Sequence, residues 1–195
     1  MREATMDAMQ LRSPISRRPA IGPAAVSLLC AVGLSACSAS SAAVAIDRYS
    51  PGHQQPVGTV AGATLSGGHV SLSGLRGHVV VVNFWSSTCA PCRAEQTTLN
   101  EVQRATAKQG VRFVGVDERD DASEAKAFLA LHPATYPSLF DPNGAMTLQF
   151  PDAEPETTPT TIVVSPAGMI AARVNGSILF SQLLALIRSV ERQAA

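Results

Sequence analysis

The stretch Val79-Val80-Val81-Val82-Asn83-Phe84-Trp85 constrains this chain more than any other. It is almost unbroken apolar sequence, rich in β-branched and aromatic side chains. Such a run reads as a strand covered on both faces, hence the centre of a sheet. Ser86 to Thr88 reads as a turn, and a helix is predicted from about Pro91 to Lys108. Pro91 suits a first helical turn, where its missing N–H costs nothing. Leu99, Val102 and Ala105 or Thr106 supply the inward face, and Gly110 ends the helix. Val111 to Val116 is a second buried strand. Strand, helix and parallel strand make a βαβ unit, with Cys89-Ala90-Pro91-Cys92 at the carboxyl end of its first strand. Open α/β sheets place their chemistry there.

The remaining segments alternate in the same way. Ser123 is positioned to cap a helix reaching about His132, with Ala127, Phe128 and Leu131 inward. Pro137 to Phe140 reads as a short strand, Asp141-Pro142-Asn143-Gly144 as a turn, and Ala145 to Phe150 as a short helical segment. Thr160 to Val164 and Met169 to Val174 flank a Ser165–Gly168 turn. A closing helix spans Phe180 to about Glu191 with Leu183, Leu184, Ile187 and Val190 as its apolar stripe. Upstream, Ala63 to Leu72 around Gly67-Gly68 reads as a small β-hairpin. The sum is an α/β sheet with helices on both faces.

The N-terminus reads as an address. Arg12, Arg17 and Arg18 precede an uncharged, largely apolar run from Ala24 to Ala36. That length suits a signal h-region and is too short to span about 30 Å of hydrocarbon. The run ends in Leu34-Ser35-Ala36-Cys37, which resembles the bacterial lipobox, whose Cys is acylated and becomes the mature first residue. An ordinary secretory signal is the alternative, and Ser16-Arg17-Arg18 loosely resembles a twin-arginine signal. Either route ends outside the cytoplasm. Residues 1–36 are therefore expected to be a lipoprotein signal peptide. Residues 37–55, small and polar, are expected to be a flexible tether, and residues 56–192 the folded domain. Without residues 1–36 the chain holds 11 basic and 13 acidic residues, so nothing suggests nucleic-acid binding.

Of four cysteines, Cys30 falls in the signal and Cys37 is committed to lipid, which leaves Cys89 and Cys92. A structural zinc site needs four ligands, and the four histidines lack zinc-finger spacing; no metal or other cofactor is expected. A disulfide closing so short a loop adds little stability. The spacing suits reversible redox chemistry at a strand-to-helix turn. Cys89, at the helix N-terminus, is the expected attacking thiol, because orphan N–H groups and the helix dipole favour its thiolate. Cys92, one turn in, is the expected resolving thiol. Glu95 shares the Cys92 face; it is either a carboxylate acting on that thiol or a solvated first-turn residue. Trp85 is a site neighbour or ordinary core. Asp117, Glu118, Asp120, Asp121 and Glu124 match no EF-hand and read as a solvated acidic loop.

The segment from Val82 through Cys89-Ala90-Pro91-Cys92-Arg93-Ala94-Glu95 resembles the active site of TlpA/ResA-like thioredoxins, the extracytoplasmic disulfide reductases. Gly115-Val116-Asp117 and Thr158-Pro159-Thr160-Thr161 match as well, so the resemblance covers about residues 55–192. It implies a thioredoxin fold: a central mixed sheet flanked by helices, with an added N-terminal β-hairpin. It implies an active-site role for Glu95 and a cis bond at Pro159 that presents Thr158 to a substrate strand, a turn proline being the alternative. Thr88, Trp85, Pro91, Thr158 and Pro159 are then the expected substrate-binding residues. Thr88 replaces the usual Trp before the first cysteine, and Asn83 stands where cytoplasmic thioredoxins carry a buried Asp.

The implied activity is thiol–disulfide exchange, most simply reduction of protein disulfides such as those of apocytochrome c. Electrons would come from a transmembrane thiol donor, and the protein would work as a lipid-anchored monomer. A disulfide-forming oxidase, a peroxiredoxin-like peroxidase and a thiol-based copper- or haem-pathway binding module are the competing readings. A second cysteine three residues after the first argues against the peroxidase, and no Met or His cluster supports the metal module.

Overall fold

The computed structural model describes residues 44–194. The expected signal peptide, the expected acylation site Cys37 and the first part of the expected tether lie outside the described residues. Among the described residues, eight strands, three α-helices and three short 3-10 turns follow one another. The central sheet has six strands, in the order β1 (Ala45–Arg48), β8 (Ile170–Asn175), β7 (Thr160–Val164), β4 (Val80–Trp85), β5 (Arg112–Glu118), β6 (Ser138–Asp141). β4 runs parallel to β5, and β5 to β6. β7 is antiparallel to both β4 and β8. The sheet is mixed, as expected. β2 (Ala61–Ala63) and β3 (His69–Ser71) form the separate expected hairpin.

All six residues of β4 are buried, and their alternation sorts the core. Val79 and Val81 point toward Leu99 and Val102 of α1 (Ala90–Thr106) and Leu183 and Ile187 of α3 (Phe180–Ala194). Val80, Val82 and Phe84 point the other way, toward Leu72, Leu139 and Phe150. Each fully buried side chain of this kind contributes about 1.5–3 kcal/mol of transfer free energy. α1 buries Cys92, Glu95, Gln96, Leu99, Val102 and Thr106, one stripe at helical spacing. It gives way to a 3-10 turn closed by Gly110 in the left-handed conformation, φ 79°.

Four expectations need correction. The three α-helices share one face. α2 (Ala122–Leu131) sits with α1 because the crossover from β5 to parallel β6 steps in the same direction as that from β4 to β5. The second face is closed by 3-10 turns, Leu72–Leu75 and Ala145–Gln149, with the hairpin. The tether does not reach residue 55: Ala45–Arg48 is an edge strand on β8, with Val44 and Ile46 packed on the core and Asp47 paired to Arg173 at 2.9 Å. α2 is capped by Asp121, whose carboxylate accepts the Ser123 N–H, and it buries Ala125 and Phe128; Ala127 and Leu131 face outward. In α3 the stripe is Leu183, Leu186, Ile187 and Val190, with Leu184 only half-buried.

Candidate active site

β4 ends at Trp85, and the chain turns at once through Ser86–Thr88 into α1. The Cys89 N–H donates to the Ser86 carbonyl at 3.2 Å and closes the turn. Cys89 caps α1: its sulfur accepts the Cys92 N–H at 3.1 Å. Cys89 and Cys92 are joined as a disulfide with their Cα atoms 5.3 Å apart. Both sulfur-bearing residues are buried, 7% and 3% exposed, while Ala90 and Pro91 between them are exposed. A partner approaching the bridge therefore meets the Ala90-Pro91 rim, with Thr88 exposed just before it and Arg93 just after.

Glu95 is not a solvated first-turn residue. It is 2% exposed. Its two oxygens accept from Asn83 Nδ2 at 3.0 Å and from the Ile178 N–H at 2.7 Å. Asn83 Nδ2 also donates to Thr161 Oγ1 at 3.1 Å. Burial pushes the Glu95 carboxyl up to about 7 from its ordinary 4.5, against the two hydrogen bonds, which pull it down. One turn behind Cys92, a group poised near neutrality can both take and give a proton.

The neighbouring strand completes the rim. β7 is antiparallel to β4, and Thr160 pairs with Phe84. The segment entering β7 thus lies beside the segment leaving β4. It contains a cis bond between Thr158 and Pro159. Pro159 is buried, Thr158 half-buried, and the Pro159 carbonyl accepts the Gly176 N–H at 2.9 Å. The next residues return to α1: Ser177 Oγ donates to the Pro91 carbonyl at 3.3 Å, and Ile178 reaches Glu95 as above.

Trp85 is both core and site neighbour. It clusters with Cys89, Cys92, Ala125 and Phe128. Its ring centroid is 4.9 Å from that of Phe128, and its Nε1 donates to Ser138 Oγ at 3.2 Å. That bond crosses over Gly115 on β5. A Cβ there would fall 2.2 Å from Ser138 Oγ and 3.0 Å from Trp85 Nε1, so only glycine fits. Ser138 carries no sequence signal of its own; Gly115 inside a strand was the available hint.

The acidic loop also needs correction. Asp117 and Glu118 are buried, Asp120 half-buried, and only Asp121 and Glu124 are exposed. Asp120 accepts the Ser87 N–H, and Ser87 Oγ at 2.9 Å, and so ties the loop to the turn before Cys89. Burial first, then Asp120, raises the Asp117 carboxyl to about 8. Among the described residues no cluster of three or more His, Cys, Asp or Glu is arranged to hold a metal ion.

A disulfide capping a helix beside a cis-proline loop is a thioredoxin-like arrangement, and comparison with known families decides which family it belongs to. The AhpC/TSA family model matches residues 51–173. The chain belongs to the AhpC/TSA family. Within it, the chain is 36% identical over 103 residues to the thiol:disulfide interchange protein HelX of Rhodobacter capsulatus, covering 52% of this chain and 54% of HelX. It is 27% identical over 118 residues to the thiol-disulfide oxidoreductase ResA of Bacillus subtilis, covering 60% of this chain and 64% of ResA. The chain thus spans somewhat more than half the length of these relatives. Among solved structures, a DsbF homologue from Corynebacterium diphtheriae superposes with a TM-score of 0.69 at 30% identity, covering 77% of this chain and 96% of that one. The ResA-like resemblance read from residues 82–95 and the thioredoxin fold it implied are both borne out by this AhpC/TSA membership and by these relatives.

Proposed function

We propose that the protein is a thiol–disulfide oxidoreductase, held outside the cytoplasm by acylated Cys37, that reduces disulfides of exported proteins such as apocytochrome c. The observation that carries the reading is the Cys89–Cys92 bridge at the N-terminus of α1 with Glu95 buried one turn behind it. In the reduced protein, the Cys89 thiolate attacks one sulfur of a substrate disulfide. A mixed disulfide forms and the first substrate sulfur leaves as a thiolate. Cys92 then gives its proton toward Glu95 and attacks Cys89. The Cys89–Cys92 bond forms, the mixed disulfide breaks, and the second substrate thiolate leaves. Two electrons have passed from the enzyme dithiol to the substrate, and a membrane thiol donor restores the dithiol. Thr88, Trp85, Pro91, Thr158 and Pro159 frame the approach, with the Thr158 backbone available to pair with a substrate strand.

The test is the reaction of the reduced protein with a peptide carrying an oxidised Cys-x-x-Cys-His segment. The reading expects stoichiometric peptide reduction and a potential nearer the thioredoxin value of about −270 mV than the DsbA value of about −120 mV. A potential near −120 mV would make the protein an oxidant. Rapid peroxide turnover with no peptide reduction would make it a peroxidase.

A further inference from the structure

Among the described residues Asp117 is the most deeply buried acid, and the exchange chemistry above does not use it. It is fully buried at the end of β5, in register with Trp85 of β4 and Phe140 of β6. By strand alternation its side chain leaves the sheet on the Trp85 side, beneath the site. Among the described residues, neither of its oxygens accepts a hydrogen bond from any donor. The charged groups that bear on it are acids: Asp120 of the following loop, Asp141 of β6, and Glu118 beside it on β5. Arg119, two residues on, pairs instead with Glu118 at 3.1 Å. A buried carboxylate with no donor and three acidic neighbours is a costly arrangement. A neutral carboxyl in the same place has an O–H to give, and Asp120 is there to receive it.

Asp120 is held from the other side by three donors. It accepts the Ser87 N–H, Ser87 Oγ at 2.9 Å and the Asp121 N–H at 2.8 Å. The proton between the two acids therefore sits on Asp117. Ser87 is the middle residue of the turn whose ends are the Ser86 carbonyl, bonded to the Cys89 N–H, and Thr88 on the exposed rim.

We propose that Asp117 and Asp120 form an acid pair sharing one proton, and that this pair positions the Ser86–Thr88 turn for exchange at Cys89. The role rests on the exchange reading above. Asp117 acts through Asp120 and Ser87 and touches no reacting atom, so it is a positioning residue. When its proton leaves to solvent, two like charges face each other in a buried site. Asp120 is driven off and Ser87 loses both of its bonds.

The experiment uses the oxidised full chain with no partner. Carboxyl carbon NMR follows Asp117, and backbone amide exchange follows Ser87 and Thr88, with strand amides of β4 as the internal reference. The pair predicts that Asp117 titrates near pH 8 and that Asp120→Asn lowers that midpoint by about one unit or more. It predicts that Ser87 protection falls between pH 7 and 9 in the unsubstituted chain. Asp117→Asn, which keeps a donor without the charge, should hold that protection through pH 9. Asp117→Leu should lack it at every pH and slow reduction of a peptide disulfide about tenfold or more. An Asp117 midpoint below pH 5, or the same pH profile of Ser87 protection in the unsubstituted chain and Asp117→Asn, would overturn the pair, and neither result needs the Leu variant to fold. Failure of the unsubstituted chain to exchange disulfides would instead overturn the functional reading, because the amide and NMR data are independent of catalysis.

Discussion

Glu95 holds a carboxyl group where two N–H donors converge and almost no water reaches. Burial outweighs those donors and lifts it to about 7 in the folded chain, whereas an unfolded chain returns it to about 4.5. The folded state therefore binds the proton more tightly. Its stabilising contribution is complete below pH 4.5 and is lost as pH rises through 7. The span corresponds to up to about 3 kcal/mol. Glu95→Gln should remove this part of the pH dependence: between pH 5 and pH 8 the variant should gain up to about 3 kcal/mol relative to the unsubstituted protein. Denaturant melts of the oxidised protein at both pH values read the difference directly, and parallel curves would show that Glu95 is ionised throughout. The spacing of Glu95 from Cys92 was legible in the sequence, because one helical turn separates them. Its burial was not, because that depends on Asn83 in another strand and on Ile178, 83 residues away. Asp117 misled for the same reason: a run of acids reads as solvated until the strand register puts one of them under a helix.

At the scale of elements, period was a better guide than phase. The strands and helices of the core lie close to where the apolar pattern put them, since β4, α1 and α3 carry long, unambiguous patterns. α2 is short, and two stripes fit it. Stacking of Phe128 on Trp85 turns the helix so that Ala125 lies inward and Leu131 is left 78% exposed. Leu131→Ala should therefore change stability by no more than about 0.5 kcal/mol. Leu99→Ala on α1, where the side chain is 1% exposed, should cost about 2–5 kcal/mol. Equal costs in a thermal or denaturant melt would mean that α2 is seated the other way. Edge strand β1 was illegible because Ala45-Ile46-Asp47-Arg48 is too short and too mixed to show a strand period. Only pairing to β8, with Ile46 opposite Val174, gives that segment a reason to be ordered.

Across the whole molecule, the parts brought together at the carboxyl end of β4 come from four distant stretches of chain: the Cys89–Cys92 turn, the Asp117–Asp120 loop, the Thr158–Pro159 segment and the Gly176–Ile178 loop. Parallel β4 and β5 send two of them to that end, and antiparallel β7 and β8 return the other two. A mixed sheet is what allows one edge to collect all four. The same arrangement leaves Cys89 at the rim and Cys92 behind it, an asymmetry on which the proposed exchange depends. Trapping measures it most directly. Cys92→Ser, mixed with extracytoplasmic proteins of the source cell, should accumulate a covalent adduct through Cys89 that a reducing agent releases, and Cys89→Ser should accumulate none. Absence of any adduct with Cys92→Ser, or equal adducts with both variants, would contradict exchange led by Cys89.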